Sequence, residues 1–156
     1  MLKIKIIVVD RTRSGFLAEG ETFYLERLRR YAHTEWVEIK PARIQKSRPA
    51  QIILAEEGIS IAKRIIAGDY VIVLDRSGKA YDSEGLAARI DHLSASHNRL
   101  TFIIGGPLGL SKEILDKAHE TLALSRLTFT HEMSRLVLLE QIYRAFTILN
   151  NEKYHK

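Results

Sequence analysis

The sequence predicts an open α/β fold, with a largely parallel sheet and helices on both faces. Three short runs rich in Ile, Val and Leu, at residues 3–9, 70–74 and 100–104, have the composition of strands that are buried on both faces. Segments with the apolar spacing of helices separate these runs, and such alternation is typical of a parallel sheet. The length of 156 residues suits one ordinary domain, so we predict a single domain over residues 1–156.

Local patterns place further elements along the chain. A shorter fourth strand is predicted at residues 36–39. Helices are predicted over residues 19–31, 49–67, 83–94 and 132–150, with a further helix beginning near Ser111. The polar segment 75–79, which reads DRSGK, follows a strand and contains a glycine, so a loop is predicted there.

Three segments are candidates for ligand binding because of their place in the predicted sheet. Ligands bind open α/β sheets beyond the carboxyl ends of the strands. The segments that follow predicted strands, or lie next to one in the C-terminal third, are 74–79, 105–111 and 124–131. We therefore expect any ligand pocket to be built from these three.

The composition excludes several classes of protein. The apolar runs are far shorter than the roughly 20 residues that a membrane-spanning helix needs, so no membrane segment is predicted. With no cysteines, the chain has no disulfides, thiolate catalysis or Cys-based zinc site, and no clear acidic pair for magnesium stands out, so no metal is predicted. Strand-like sequence begins at once, without an export signal, and the predicted location is the cytoplasm.

The positive charge is concentrated in the first third of the chain. Lys and Arg number 24 against 19 Asp and Glu, a net charge of +5. Residues 1–48 hold 11 basic and 6 acidic side chains, whereas residues 49–156 hold 13 of each. The segment 40–48 has four cations and no acid, which favours a polyanionic partner because neutralised phosphates release counterions. A solvated loop that only aids solubility is the alternative.

The glycine-rich segment 103–110 reads IIGGPLGL and leads from a strand toward a helix, the usual place of a nucleotide-binding loop. Its glycines fit neither the Walker A motif nor the dinucleotide fingerprint. Pro107 has no N–H, which removes one donor from an anion cradle. The loop favours an apolar or adenosine-like ligand over a triphosphate, with a tight turn that binds nothing as the alternative.

The C-terminal third combines an apolar segment, a broad apolar helix and a basic aromatic tail. Residues 122–131 are too apolar for an ordinary surface loop, so we expect this segment to pack over another part of the molecule or over a ligand. The apolar arc of helix 132–150 is wider than one side of a sheet would bury, which favours a symmetric homodimer. Glu140 and Arg144 are spaced for an i,i+4 ion pair. The tail 153–156, which reads KYHK, is either frayed or suited to stacking on an unpaired nucleotide.

Four motifs together resemble the ribosomal RNA large subunit methyltransferase H family. They are the segments IIGGPLGL at 103–110, LSRLTFTH at 124–131, LEQIYRAF at 139–146 and the terminal YHK at 154–156. The resemblance covers the whole chain. It implies a SPOUT-class methyltransferase, with a trefoil knot at its C-terminal end, that works as a homodimer. It further implies that S-adenosylmethionine is used to methylate N3 of a pseudouridine in 23S ribosomal RNA of the assembled ribosome.

The resemblance also assigns cofactor-binding residues, carried over motif by motif. They are Leu74 and Asp75 in the first loop, Gly105 and Gly106 in the second, and Ser125, Arg126, Leu127, Thr128, Phe129 and Thr130 in the third. Members of the family commonly have proline before the histidine, whereas this chain has Thr130. A less rigid third loop is therefore expected.

The implied chemistry points to a small set of catalytic candidates. Methyl transfer from a sulfonium is an in-line displacement, so the protein mainly aligns donor and acceptor. Removal of the N3 proton calls for a general base, and His131, His155 and Glu140 are the candidates, with His131 preferred because it adjoins the third loop.

Two further roles complete the catalytic set. Arg144 or Arg135 would stabilise negative charge that develops on the ring carbonyls. Tyr154 would stack on the flipped-out base, and the tail of one subunit would reach the pocket of its partner.

Two other classes of function remain as alternatives. A non-enzymatic RNA-binding or ribosome-binding protein would use the basic first third and the tail. A small α/β nucleotide hydrolase or kinase is the other, and the missing Lys-Ser/Thr of a phosphate loop argues against it.

Overall fold

The computed structural model describes all 156 residues and contains five strands and five helices in alternation. In chain order they are β1 (Lys3–Val9), α1 (Gly15–Leu28), β2 (His33–Ile39), α2 (Ala50–Ala62), β3 (Tyr70–Ala80), α3 (Ser83–Ser94), β4 (Arg99–Ile104), α4 (Lys112–Lys117), β5 (Glu120–Ala123) and α5 (His131–Leu149). None of the helices has the length and apolarity needed to cross a bilayer.

The five strands form one sheet in the order β2-β1-β4-β3-β5, and every pair is parallel. Val8 of β1 pairs with Glu38 of β2 on one side and with Ile104 of β4 on the other. The predicted α/β class and parallel sheet are confirmed. Because all strands run the same way, their carboxyl ends meet at a single edge, which we call the carboxyl edge.

Helices cover both faces of the sheet, as predicted, and β1 shows why. Its alternate side chains Ile4, Ile6 and Val8 are buried in a larger apolar cluster with residues of α1, α3 and α5. Ile7 and Val9 point the other way, into a smaller cluster with residues of α2 and α4. A fully buried aliphatic side chain stabilises the fold by about 2 kcal/mol, so this strand needs apolar residues on both sides.

The segment 75–79 differs from the loop predicted for it. β3 continues to Ala80, but Leu74 and Lys79 both pair with Leu122, so residues 75–78 leave the ladder as a bulge. A Cβ on Gly78 would lie 2.6 Å from the carbonyl carbon of Thr121, so the two backbones touch at a position that only glycine fits. β5 itself was not predicted, because four residues are too few for a recognisable alternation.

Helix α5 packs between α1 and α3 of the same chain. At the closest approach, a Cβ on Gly20 of α1 would lie 2.8 Å from Cδ1 of Leu136. Every side chain in α5 is buried or half-buried. Its broad apolar arc is therefore buried largely within one subunit, so the width of the arc no longer favours a second subunit.

Candidate functional site

The three predicted binding segments meet around one cavity of about 590 Å³ at the carboxyl edge. The lining residues are 74–76, 104–109, 122–125, 127–131 and Ser134. Every residue assigned to the cofactor by resemblance lines this cavity except Arg126, which is exposed. The assembly follows from the parallel sheet, which brings the ends of β3, β4 and β5 together.

The second loop is a tight turn that depends on glycine at two positions. The N–H of Gly109 donates to the carbonyl of Gly106 at 3.0 Å, and the two residues form an isolated bridge. Gly109 has φ of +86°, in the left-handed region that favours glycine. A Cβ on Gly105 would lie 2.6 Å from the carbonyl carbon of Gly109, so only glycine fits there, and both glycines line the cavity without a side chain.

The first loop supplies the only carboxylate in the cavity wall. Asp75 accepts hydrogen bonds from the N–H of Ser77 at 3.0 Å and from its hydroxyl. These bonds hold the pKa of Asp75 below its usual value, so it is an anionic acceptor at neutral pH. Arg76 Nη1 donates to Thr128 Oγ1 at 3.3 Å, which joins the first loop to the third.

The third loop is fixed at both of its ends. Ser125 Oγ accepts from the N–H of Leu127 at 3.0 Å, and Leu127 is 72% exposed. Thr130 caps α5, because its hydroxyl accepts from the N–H of Met133 at 3.1 Å. A threonine thus caps α5 at the position where the resemblance leads us to expect proline, and the looser third loop stays a prediction.

His131 is the first residue of α5 and lies on the cavity wall. Burial, with a smaller contribution from the charge of Arg135, lowers the pKa of His131 below its usual value. The imidazole is therefore neutral at pH 7 and has a nitrogen lone pair free to accept a proton.

Arg135 lies in the interior of the protein and not on the cavity wall. It is fully buried, and its Nη2 donates to the carbonyl of Val9 at 2.6 Å and its Nη1 to Thr12 Oγ1 at 2.9 Å. Thr12 in turn donates to Glu21 at 2.7 Å. Arg135 does not line the cavity, and its buried Nε has no hydrogen-bond partner, so its contact with a reacting base stays a prediction and the contacts present suit a positioning role.

The remaining catalytic candidates gather in a second group, the tail cluster, made of Glu140, Arg144, Tyr154 and His155. Arg144 Nε donates to Glu140 Oε1 at 3.1 Å, the hydroxyl of Tyr154 donates to the same oxygen at 3.0 Å, and Arg144 Nη1 lies 3.2 Å from His155 Nδ1. The predicted i,i+4 pair is thus part of a larger network. None of the four lines the cavity.

The tail cluster and the cavity lie apart within one subunit. Glu140 is nine residues beyond His131 on the same helix, which is about 13 Å along its axis. Tyr154 packs edge-on against Tyr143 with ring centres 4.9 Å apart, so the tail is folded against its own helix α5. The frayed-tail alternative does not describe this arrangement.

Two residues that shape the site were not predicted. Arg76 lies in a polar segment that follows a predicted strand, so its position in the sequence could have marked it as a site residue. Its contact with Thr128 depends on the fold and could not have been predicted. Glu57 of α2 is buried, and its Oε1 would lie 3.8 Å from a Cβ on Gly106. Acidic residues in helices are usually exposed, so the sequence carries no sign of this one.

The chemistry of the cavity suits an adenosyl sulfonium better than a phosphate chain. Leu74, Ile104 and Leu122 provide apolar walls, the glycine turn provides bare backbone, and Asp75 provides an anionic acceptor. Arg76 is the only Lys or Arg on the cavity wall, and it donates to Thr128. No group of three or more His, Asp or Glu side chains is placed to hold a metal ion. S-adenosylmethionine thus fits the residues present.

Comparison with known proteins gives the class and then the family. Residues 2–155 match the profile of a family that is described as "Predicted SPOUT methyltransferase". In solved structures, a probable methylase family protein from Haemophilus influenzae superposes with a TM-score of 0.59 at 17% identity, covering 98% of this chain and 70% of that one. A probable methyltransferase from Bordetella pertussis gives 0.53 at 13% identity, covering 92% and 96%. These two likenesses concern the fold alone.

Closer relatives carry a more specific name. "Ribosomal RNA large subunit methyltransferase H" from Syntrophotalea carbinolica is 44% identical over 99% of both chains. The protein of the same name from Desulforamulus reducens is 41% identical over the full length of both. The chain belongs to the SPOUT methyltransferase family. Its resemblance to the ribosomal RNA large subunit methyltransferase H family is confirmed.

Proposed function

We propose that this methyltransferase uses S-adenosylmethionine to methylate N3 of a pseudouridine in 23S ribosomal RNA of the assembled ribosome. The observation that carries the proposal is the meeting of the three loops around one cavity whose walls suit an adenosyl group. The names of the relatives support ribosomal RNA as the substrate. The cytoplasm, where ribosomes work, is the proposed location.

The loops divide the work of holding the cofactor. S-adenosylmethionine supplies an electrophilic methyl group carried on a sulfonium. Bare backbone at Gly105 and Gly106 allows close approach of a flat ring, and Leu74 with Leu122 excludes water from it. Asp75 provides an anionic acceptor for hydroxyl groups or positive charge. Fixing the donor in this way lowers the entropic cost of an in-line reaction.

Proton removal from N3 is assigned to His131. Its lowered pKa leaves the neutral base as the main form at pH 7, and it lies on the cavity wall. Glu140 and His155 remain the other candidates, but Glu140 already accepts from Arg144 and Tyr154. Arg144 is the group proposed to stabilise negative charge on the ring carbonyls, and Tyr154 the one to stack on the base.

A homodimer is proposed because the two groups of catalytic residues lie apart within one subunit. A second copy would bring its tail cluster to the cavity of the first. Phe16 and Phe23 support such an interface, since they stand on one face of α1 and are 70% and 44% exposed. A single domain with a C-terminal trefoil knot is also proposed, supported by the match to the SPOUT family profile over residues 2–155.

In the experiment, the purified protein is incubated with methyl-tritiated S-adenosylmethionine and with ribosomes from cells that lack this protein. The labelled nucleoside is then mapped. We expect label on N3 of one pseudouridine in 23S ribosomal RNA. Label on another nucleoside would overturn the assigned target. Binding to ribosomes without any transfer would favour the non-enzymatic alternative.

A further inference from the structure

The carboxyl edge of the sheet carries the positive charge of the protein. Five segments lie there: 10–14, 40–49, 75–78, 105–111 and 124–130. They hold eight basic and two acidic side chains, a net charge of +6, whereas the whole chain carries +5. The rest of the protein is thus close to neutral, and the cavity opens among the cations.

Of the four cations in the segment 40–49, three have no carboxylate partner. Lys40, Arg43 and Lys46 are exposed and form no ion pair. Arg48, by contrast, pairs with Glu56 and donates to the carbonyl of Arg43 at 3.2 Å. Arg48 therefore stabilises the conformation of the segment, while the unpaired charges of Lys40, Arg43 and Lys46 face the solvent.

A buried carboxylate fixes this segment next to the glycine loop of the cavity. The N–H of Ala42 donates to Glu57 Oε2 at 3.1 Å, and Glu57 is only 5% exposed. The other oxygen of the same carboxylate, Oε1, would lie 3.8 Å from a Cβ on Gly106. One side chain thus contacts the basic segment and lies behind the second loop, so the free cations stand beside the cavity.

We propose that Lys40, Arg43 and Lys46 form a phosphate-binding rim that holds the RNA strand flanking the nucleotide in the cavity. The inference rests on the proposed function for the identity of the polyanion as RNA. Phosphates line an RNA strand at regular intervals, and free cations beside a base-sized pocket match them in charge. The rim binds without reading sequence, because phosphate contacts carry none.

The test compares two triple variants that change the net charge equally. One is Lys40→Gln/Arg43→Gln/Lys46→Gln. The other is Arg29→Gln/Lys63→Gln/Lys117→Gln, which removes three exposed cations near the ends of α1, α2 and α4, at the opposite edge of the sheet. Binding of purified 23S ribosomal RNA is measured by filter retention between about 50 and about 200 mM KCl. Calorimetry with S-adenosylmethionine checks that each variant keeps its cavity.

For the rim variant we expect the slope of log K against log salt to become shallower by about 2, because each of the three lost phosphate contacts contributes about 0.7 to the slope. Over that salt range the wild type then loses about 20-fold more affinity than the variant. The control should keep the wild-type slope. Equal slopes for the two variants would overturn the rim. RNA binding is measured independently of methyl transfer. If the rim variant shows the expected slope but the wild-type protein transfers no methyl group, only the proposed function is overturned.

Discussion

Arg135 Nη2 donates to the carbonyl oxygen of Val9 at 2.6 Å, which ties the first turns of α5 to the carboxyl end of β1. The guanidinium is fully buried, and its second contact, through Thr12, extends to Glu21. Four residues earlier on the same helix stands His131, on the cavity wall. Arg135 therefore sets the position of His131 relative to the sheet, although it does not reach the cavity itself.

Replacement of Arg135 by methionine should destabilise the protein by about 3 kcal/mol, because the buried carbonyl of Val9 and the half-buried hydroxyl of Thr12 both lose this donor. Urea denaturation measures the free energy of unfolding. Arg29→Met, at an exposed position, is the matched control and should change it by no more than about 0.5 kcal/mol. A stability of Arg135→Met equal to that of the control would contradict the role given to this side chain.

The two glycines of the second loop should respond differently to alanine. Gly105→Ala places a Cβ 2.6 Å from backbone of Gly109, so the turn must open, and we expect the affinity for S-adenosylmethionine to fall at least about tenfold. Gly106→Ala meets Val9 Cγ1 at 3.4 Å, an ordinary contact, and should cost much less.

Calorimetric titration measures both affinities, with Gly15→Ala as the control because nothing lies within 4 Å of its added Cβ. The reverse order, with Gly106→Ala the weaker binder, would mean that the backbone of Gly105 is not what the cofactor contacts.

Removal of residues 154–156 should abolish methyl transfer and leave cofactor binding largely intact. The reason is that the tail contacts Glu140, Tyr143 and Arg144, and no tail residue lines the cavity of its own subunit. Transfer to ribosomes and calorimetric binding are measured on the same preparation. If cofactor binding is lost together with transfer, the tail is structural and the proposed catalytic cluster is not supported.

The pH dependence of methyl transfer tests His131 as the base. Burial lowers its pKa below 6.5, so the neutral form predominates at pH 7 and is lost as the pH falls through that lowered value. We expect the single-turnover rate to decline on the acid side with a midpoint below 6.5. In His131→Gln the rate should be low and should lack this limb. If the pH profile of the variant is unchanged, a group other than His131 removes the N3 proton.

The sequence predicted those parts of the fold whose signals are local. The bounds of β1 and α3 were predicted correctly, since β1 is a continuous apolar run and α3 begins after Asp82, which accepts from the N–H of Gly85 at 2.6 Å. The three cavity loops were also predicted, because ligands bind open α/β sheets beyond the carboxyl ends of parallel strands, which lie at one edge. The shape of the glycine turn needed the structure.

Long-range contacts explain what the sequence could not predict. A charged residue in a helix indicates an exposed side chain, yet Arg135 is buried because partners more than 100 residues away accept its hydrogen bonds. The return of Tyr154 onto Glu140 likewise depends on where the chain goes after α5. The spacing of Glu140 and Arg144 did indicate their pair, since an i,i+4 contact is local.

A crystal structure of the protein soaked with S-adenosylmethionine tests the assigned cavity directly. We expect the adenosyl group in the cavity of about 590 Å³, against the backbone of residues 105–109 and between residues 74–76 and 124–130. Clear density for the compound at any other place on the protein would contradict the assignment of this cavity. So would an empty cavity in crystals that hold the compound at saturating concentration.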